Sequence, residues 1–64
     1  MKMKQGRMYQ LITNVRIKNV VFKANDYVTV LEETRTTHIL RIHSTNETVT
    51  VTRQALSFFV EEVA

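Results

Sequence analysis

Apolar and polar residues alternate along most of the chain, and the alternation predicts strands. Over residues 8–18, Tyr9, Leu11, Thr13, Val15 and Ile17 fall on one side, with Met8, Gln10, Ile12, Asn14, Arg16 and Lys18 on the other. Successive side chains of an extended chain point to opposite faces, so this reads as one long strand. Lys18-Asn19 then separates Ile17 from Val20, the length of a tight hairpin loop, and Asn adopts a left-handed backbone more readily than most residues. Residues 20–22 form a short return strand, and residues 23–26 read as a turn through Asn25 and Asp26. Residues 27–33 follow as a strand on which Val28 and Val30 share a face with Asp26 and Glu32. After a polar break at 34–36, residues 37–43 alternate again, with Leu40 and Ile42 opposed to Ile39, Arg41 and His43. Ser44, Thr45 and Asn46 make a hairpin tip, and residues 47–52 return with Val49 and Val51 inward and Thr48, Thr50 and Thr52 outward.

Five short strands joined by tight turns predict a meander that closes on itself, an all-β small five-stranded barrel. The tail admits two readings. Leu56, Phe59, Val60 and Val63 stand at helical spacing, with Thr52 placed to cap a helix. The alternative is one helical turn at 53–55 and a last short strand through Phe58 and Val60. Glu61 and Glu62 would lie at the negative end of the helix dipole, which favours the strand.

Composition agrees with strands and narrows the chemistry. Val, Thr and Ile, the β-branched residues that suit a pleated surface, make up 22 of 64 residues. A chain this short encloses one small core, so residues 8–64 form a single domain preceded by a basic N-terminal arm at 1–7. With no Cys there is no disulfide and no thiolate metal site. A single Gly excludes the glycine-rich phosphate loops. The longest apolar runs, 20–22 and 58–60, fall far short of the roughly 20 residues that cross a bilayer. No apolar segment follows the basic start as a signal peptide would require, so residence in the cytoplasm is expected.

The order of strands, with VVFKANDYVTVLEE at 20–33, THILRIHS at 37–44 and TVTVT at 48–52, resembles the Src-homology-3-like small barrel. In that family a segment of the form Phe-Lys-x-Gly-Asp-x-Val-x-Val-Leu leads from a diverging turn into the second main strand. Phe22, Lys23, Asp26, Val28, Val30 and Leu31 match it, while Asn25 stands where the family usually has Gly. A left-handed Asn absorbs that departure. The resemblance implies a fold and carries no activity. Proline-rich peptide recognition, the family's best-known role, needs an aromatic groove with Trp, and this chain has no Trp and no Pro.

Catalytic chemistry is not expected. His38 and His43 lie an odd number of residues apart on one strand, which sends them to opposite faces, with His38 at the rim and His43 exposed beside Arg41. Asp26 is the lone Asp and sits in a turn; Ser44 and Ser57 have no His at a telling spacing. No cofactor, metal or small-molecule substrate is implied. Asn46-Glu47-Thr48 has the form of a glycosylation sequon but reads as a hairpin tip.

Charge supplies the functional signal. The net charge of +3 divides unevenly, because residues 1–24 hold six cations and no acid while the remainder is acidic overall. Lys2, Lys4, Arg7, Arg16, Lys18 and Lys23 form a basic stripe able to neutralise phosphates, with Arg41 or Arg53 able to extend it. Tyr27 and one of Phe58 or Phe59 are the available stacking platforms. The expectation is a non-enzymatic, nucleic-acid-associated regulator. The alternative is a protein-binding adaptor or inhibitor, a format suited to a phage or mobile element. Met8, Ile12, Leu31 and Ile39 lie opposite the inward set, where a protein partner or a second copy would bury them, or where strand addition at an open edge would follow.

Overall fold

The architecture comes from a computed structural model that describes residues 2–63. Seven strands occur in the order β1 (Met8–Leu11), β2 (Val15–Ile17), β3 (Val20–Phe22), β4 (Tyr27–Glu33), β5 (Thr37–Ile42), β6 (Thr48–Thr52) and β7 (Val60–Glu62). Five of them form one antiparallel sheet in the order β6-β5-β4-β1-β7, and β2 pairs only with β3. The meander β4-β5-β6 is continuous in sequence, whereas β1 lies between β4 and β7, so the two ends of the chain meet beside the middle.

The alternating pattern fixes which face is buried. Tyr9 and Leu11 of β1, Val28 and Val30 of β4, Leu40 and Ile42 of β5, Val51 of β6 and Val60 of β7 fill a common core with Phe22 and Leu56, and Val15 and Ile17 pack against it half-buried. Each fully buried aliphatic or aromatic side chain contributes about 1.5–3 kcal/mol, so a core of this size suffices for a small domain. Met3 is buried too, although it lies within the basic N-terminal segment. Its neighbourhood is held by hydrogen bonds: the Lys4 N–H donates to the Tyr9 side-chain hydroxyl at 2.7 Å, the Gly6 N–H to the Val30 carbonyl at 2.8 Å, and the Val30 N–H to the Arg7 carbonyl at 3.0 Å. The buried phenol thereby gains a hydrogen-bond partner, which its burial requires.

Three expectations are corrected. The strand expected over residues 8–18 is broken at 12–14, where the Ile12 N–H donates to the Phe59 carbonyl and the Asn14 side chain accepts from the Ala24 N–H. Those bonds turn the chain out of the main sheet, so β2 and β3 form a separate hairpin. The sheet is open rather than a closed barrel: β6 and β7 are its two edges, and β7 takes β1 as its partner instead of β6. No helix is present among the described residues. Residues 53–59 form successive turns closed by Ala55 N–H to Thr52 O, Ser57 N–H to Gln54 O and Phe59 N–H to Leu56 O, and then β7 begins. Pairing of Val60 with Leu11 satisfies the backbone and buries both side chains, a gain that a helix carrying Glu61 and Glu62 at its negative end lacks.

The turns follow their local chemistry. Asn25 takes φ 72° and Asn46 takes φ 61°, the left-handed backbone that Asn tolerates. At the β2–β3 loop, however, Lys18 carries the positive φ of 55° rather than Asn19.

Candidate nucleic-acid interface

The most built-up surface feature grows from an irregularity in the central sheet. Along β4 the alternation should place Glu32 on the face of Val28 and Val30. A β-bulge between Val30 and Glu32 inserts Leu31 as an extra residue, so Glu32 pairs with Ile39 and Glu33 pairs with His38. A bulge reverses which residues face the core. Glu33 is thereby turned toward His38, which is 1% exposed and shares the inner side of the sheet with Leu40 and Val51.

Glu33 then organises its surroundings. Its Oε2 accepts from Arg53 Nη2 at 2.6 Å and from His38 Nε2 at 3.2 Å. Because a carboxylate only accepts, Nε2 of His38 carries a proton, and Nδ1 is left buried without a partner. The hydrogen bond from His38, reinforced by the charge of Arg53 and opposed by partial burial, holds the Glu33 carboxyl below its ordinary value of 4.5. Arg53 also donates through Nη1 to the Arg35 carbonyl at 3.2 Å, which ties the turn at 34–36 to the end of β6. A bidentate-capable guanidinium held at both ends is pre-positioned rather than free to swing.

Above this network lies an open groove of about 750 Å³, with Lys2, Arg35, His38, Arg53, Ser57 and Phe58 among its lining residues. Lys2 and Arg35 are exposed and have no ion-pair partner among the described residues. Phe58 is 77% exposed, the most exposed large apolar side chain among the described residues. The turns that carry it are anchored on either side by buried Leu56 and Val60, so the backbone holds the ring out while its neighbours are pinned. Ser57 lies beneath, and its hydroxyl donates to the Gln54 carbonyl at 3.0 Å. No group of three or more metal-ligating side chains occurs among the described residues.

The expected basic stripe is dispersed. Lys2 lines the groove. Lys4 is exposed near Tyr9, and Arg7 faces Glu62 at 3.5 Å, an exposed pair worth about 0–1 kcal/mol. Arg16 projects into solvent from β2, Lys18 sits at the tip of the same hairpin, and Lys23 lines a second groove of about 530 Å³ beside Asp26 and Glu47. Of the residues proposed to extend the stripe, Arg53 reaches the first groove, whereas Arg41 lies on the outer face of β5 with its guanidinium 3.4 Å from the Asn46 side chain. Arg35 was not anticipated. Its only sequence signal is a cation in a polar break, and its placement depends on the bond from Arg53.

The other singled-out residues also have definite positions. Phe58, one of the candidate platforms, is in the groove; Tyr27 is at the far end of β4, its ring 6.1 Å from that of His43. His43 bonds Thr29 across the outer face at 2.6 Å, opposite in direction to His38 as the odd spacing requires. His38 is buried in the core layer instead of lying at the rim. Met8, Leu31 and Ile39 lie on the outer face of the sheet, while Ile12 sits beyond β1 near Phe59. No helix of the described residues is long and apolar enough to cross a membrane.

Compared with known proteins, the chain matches no family model, no curated protein and no solved structure.

Proposed function

We propose that this chain is a non-enzymatic binding module whose groove at the end of β6 takes single-stranded nucleic acid. The observation that carries the reading is the juxtaposition of an outward Phe58 ring with Lys2, Arg35 and Arg53 around one groove. Holding a phenyl ring in water is unfavourable unless a partner covers it. Bases have apolar faces and every strand has phosphates, so stacking on a ring beside cations is the general mode of single-strand capture. Each base stacked on such a ring contributes about 1–3 kcal/mol. The cations supply the remainder by displacing counterions from phosphates. Arg53, fixed by Glu33 and the Arg35 carbonyl, gives that surface a defined geometry.

The fold that this reading assumes is Src-homology-3-like. Support comes from the succession of first strand, detached hairpin, three-strand meander and closing strand beside the first, and from Asn25 taking the left-handed backbone where that family uses Gly. Duplex is the poorer substrate, because its bases are already stacked and cannot reach the ring.

Titration of a fluorescent oligothymidine with the full chain at low salt tests the reading. Micromolar affinity that weakens steeply with added salt is expected, with duplex of the same length bound more weakly. No anisotropy change at low salt, or equal affinity for duplex and single strand, contradicts it.

A further inference from the structure

The two edges of the main sheet differ in a way that points to self-assembly. We infer that the β6 edge adds to the same edge of a second copy of this chain, antiparallel and centred on Thr50, to give a closed dimer. The main-chain geometry of β6 sets up the pairing. The Ile42 N–H donates to the Glu47 carbonyl at 2.8 Å and the Arg53 N–H to the Thr36 carbonyl at 3.1 Å, so the odd-numbered positions bond toward β5. In an antiparallel ladder the bonding direction alternates, and Thr48, Thr50 and Thr52 therefore aim their backbone groups outward. Among the described residues, the Thr52 carbonyl alone of these groups has an internal partner, the Ala55 N–H.

The sequence of the edge identifies the occupant as the chain itself. Thr48-Val49-Thr50-Val51-Thr52 reads the same in both directions, and it is flanked by Glu47 on one side and Arg53 on the other. Antiparallel self-pairing about Thr50 sets Thr48 against Thr52 of the second copy, Val49 against Val51 on the inner face, and Glu47 against Arg53. Every outward backbone group then faces a complementary one and like side chains stack on like, while Glu47 lies across from an Arg53 whose guanidinium is already paired with Glu33 of its own chain. A heterologous peptide would need to reproduce both features.

The same comparison explains why assembly stops at two. β6 lacks Lys, Pro and Gly, the residues that usually guard an edge, whereas β7 is three residues long and carries Glu61 and Glu62 exposed. Once β6 is paired, the main-sheet edges that remain are two short acidic strands that repel further addition, so the main sheet closes as a two-fold dimer rather than extending into a fibre.

Sedimentation equilibrium and amide hydrogen exchange on the full chain test it together. The expected mass is twice the 7.5 kDa of one chain, falling on dilution. Exchange at Thr48 and Thr50 is expected to slow as concentration rises, while Val49 and Val51, already bonded to β5, stay protected throughout. Thr50→Pro removes an outward N–H that β5 does not use, so it is expected to leave the circular dichroism unchanged and to sediment as a single chain. A single-chain mass at every concentration with rapid exchange at Thr50 overturns the inference. So does a folded Thr50→Pro chain that remains dimeric. If that variant fails to fold, the exchange profile of the natural chain decides.

Discussion

Two regions of this molecule are basic, and they are built differently. The β2–β3 hairpin presents Arg16 and Lys18 on a separate two-stranded ribbon, both exposed. The groove at the end of β6 combines Lys2, Arg35 and Arg53 with an exposed phenyl ring, and one of its cations is fixed by Glu33. Charge alone attracts phosphates without orienting them, whereas charge around a ring held at a fixed position can select an unstacked base. On the proposed reading, the richest cluster of cations in the sequence is not the binding surface. What matters is where the fold sets a cation beside a second kind of contact.

The largest effect should come from the anchor beneath the groove. Leu56 is buried in the core, next to the turns that present Phe58, so Leu56→Ala is expected to cost about 2–5 kcal/mol by urea denaturation and to abolish binding with it. The corresponding truncation in the hairpin, Val21→Ala, removes a half-exposed side chain and should change stability by no more than about 0.5 kcal/mol. Equal costs at the two positions would erase the distinction between the regions.

Next in size is the ring itself. Phe58→Ala is expected to weaken oligothymidine binding about tenfold with little change in stability, as one lost stacking contact dictates. The paired change Arg16→Ala with Lys18→Ala should leave affinity near that of the natural chain. A reversed order would move the site to the hairpin.

Smaller still is the salt dependence. Arg35→Ala should lower the slope of log affinity against log salt by about 0.7, the value for one phosphate contact on a single strand, and the hairpin double variant should leave the slope unchanged.

The smallest effect is acid sensitivity. Glu33 has its pKa lowered in the folded chain, so its contribution to stability is complete above the ordinary value of 4.5 and is lost as pH falls through the lowered folded value. Glu33→Gln should therefore flatten the acid limb of the stability profile between the ordinary value of 4.5 and the lowered folded value, while changing its shape little near neutrality. An unchanged acid limb would mean that the carboxylate does not hold Arg53 and His38 in solution.

Much of the strand pattern was legible because a one-sided core imposes strict alternation. Tyr9, Val28, Leu40 and Val51 do share an interior, and the β4 boundaries follow the polar residues that flank them. Where alternation failed to report, the cause was tertiary. Nothing in residues 8–18 announces that Ile12 will bond the Phe59 carbonyl and leave the sheet, because that partner is far along the chain. The open edge was not legible either, since an amphipathic strand has the same pattern whether it is paired on one side or both. For the site, the ring of Phe58 and the reach of Arg53 could be anticipated by type. The bulge at Leu31 could not, and that bulge is what turns Glu33 onto His38 and fixes Arg53.

The central claim is that binding is confined to the groove at the end of β6, and amide chemical shifts during an oligothymidine titration test it most directly. The account predicts shifts at Lys2, Arg35, Arg53, Gln54, Ser57 and Phe58, with residues 15–22 unmoved. Shifts centred on Arg16 and Lys18, or spread evenly over all the cations, would contradict it.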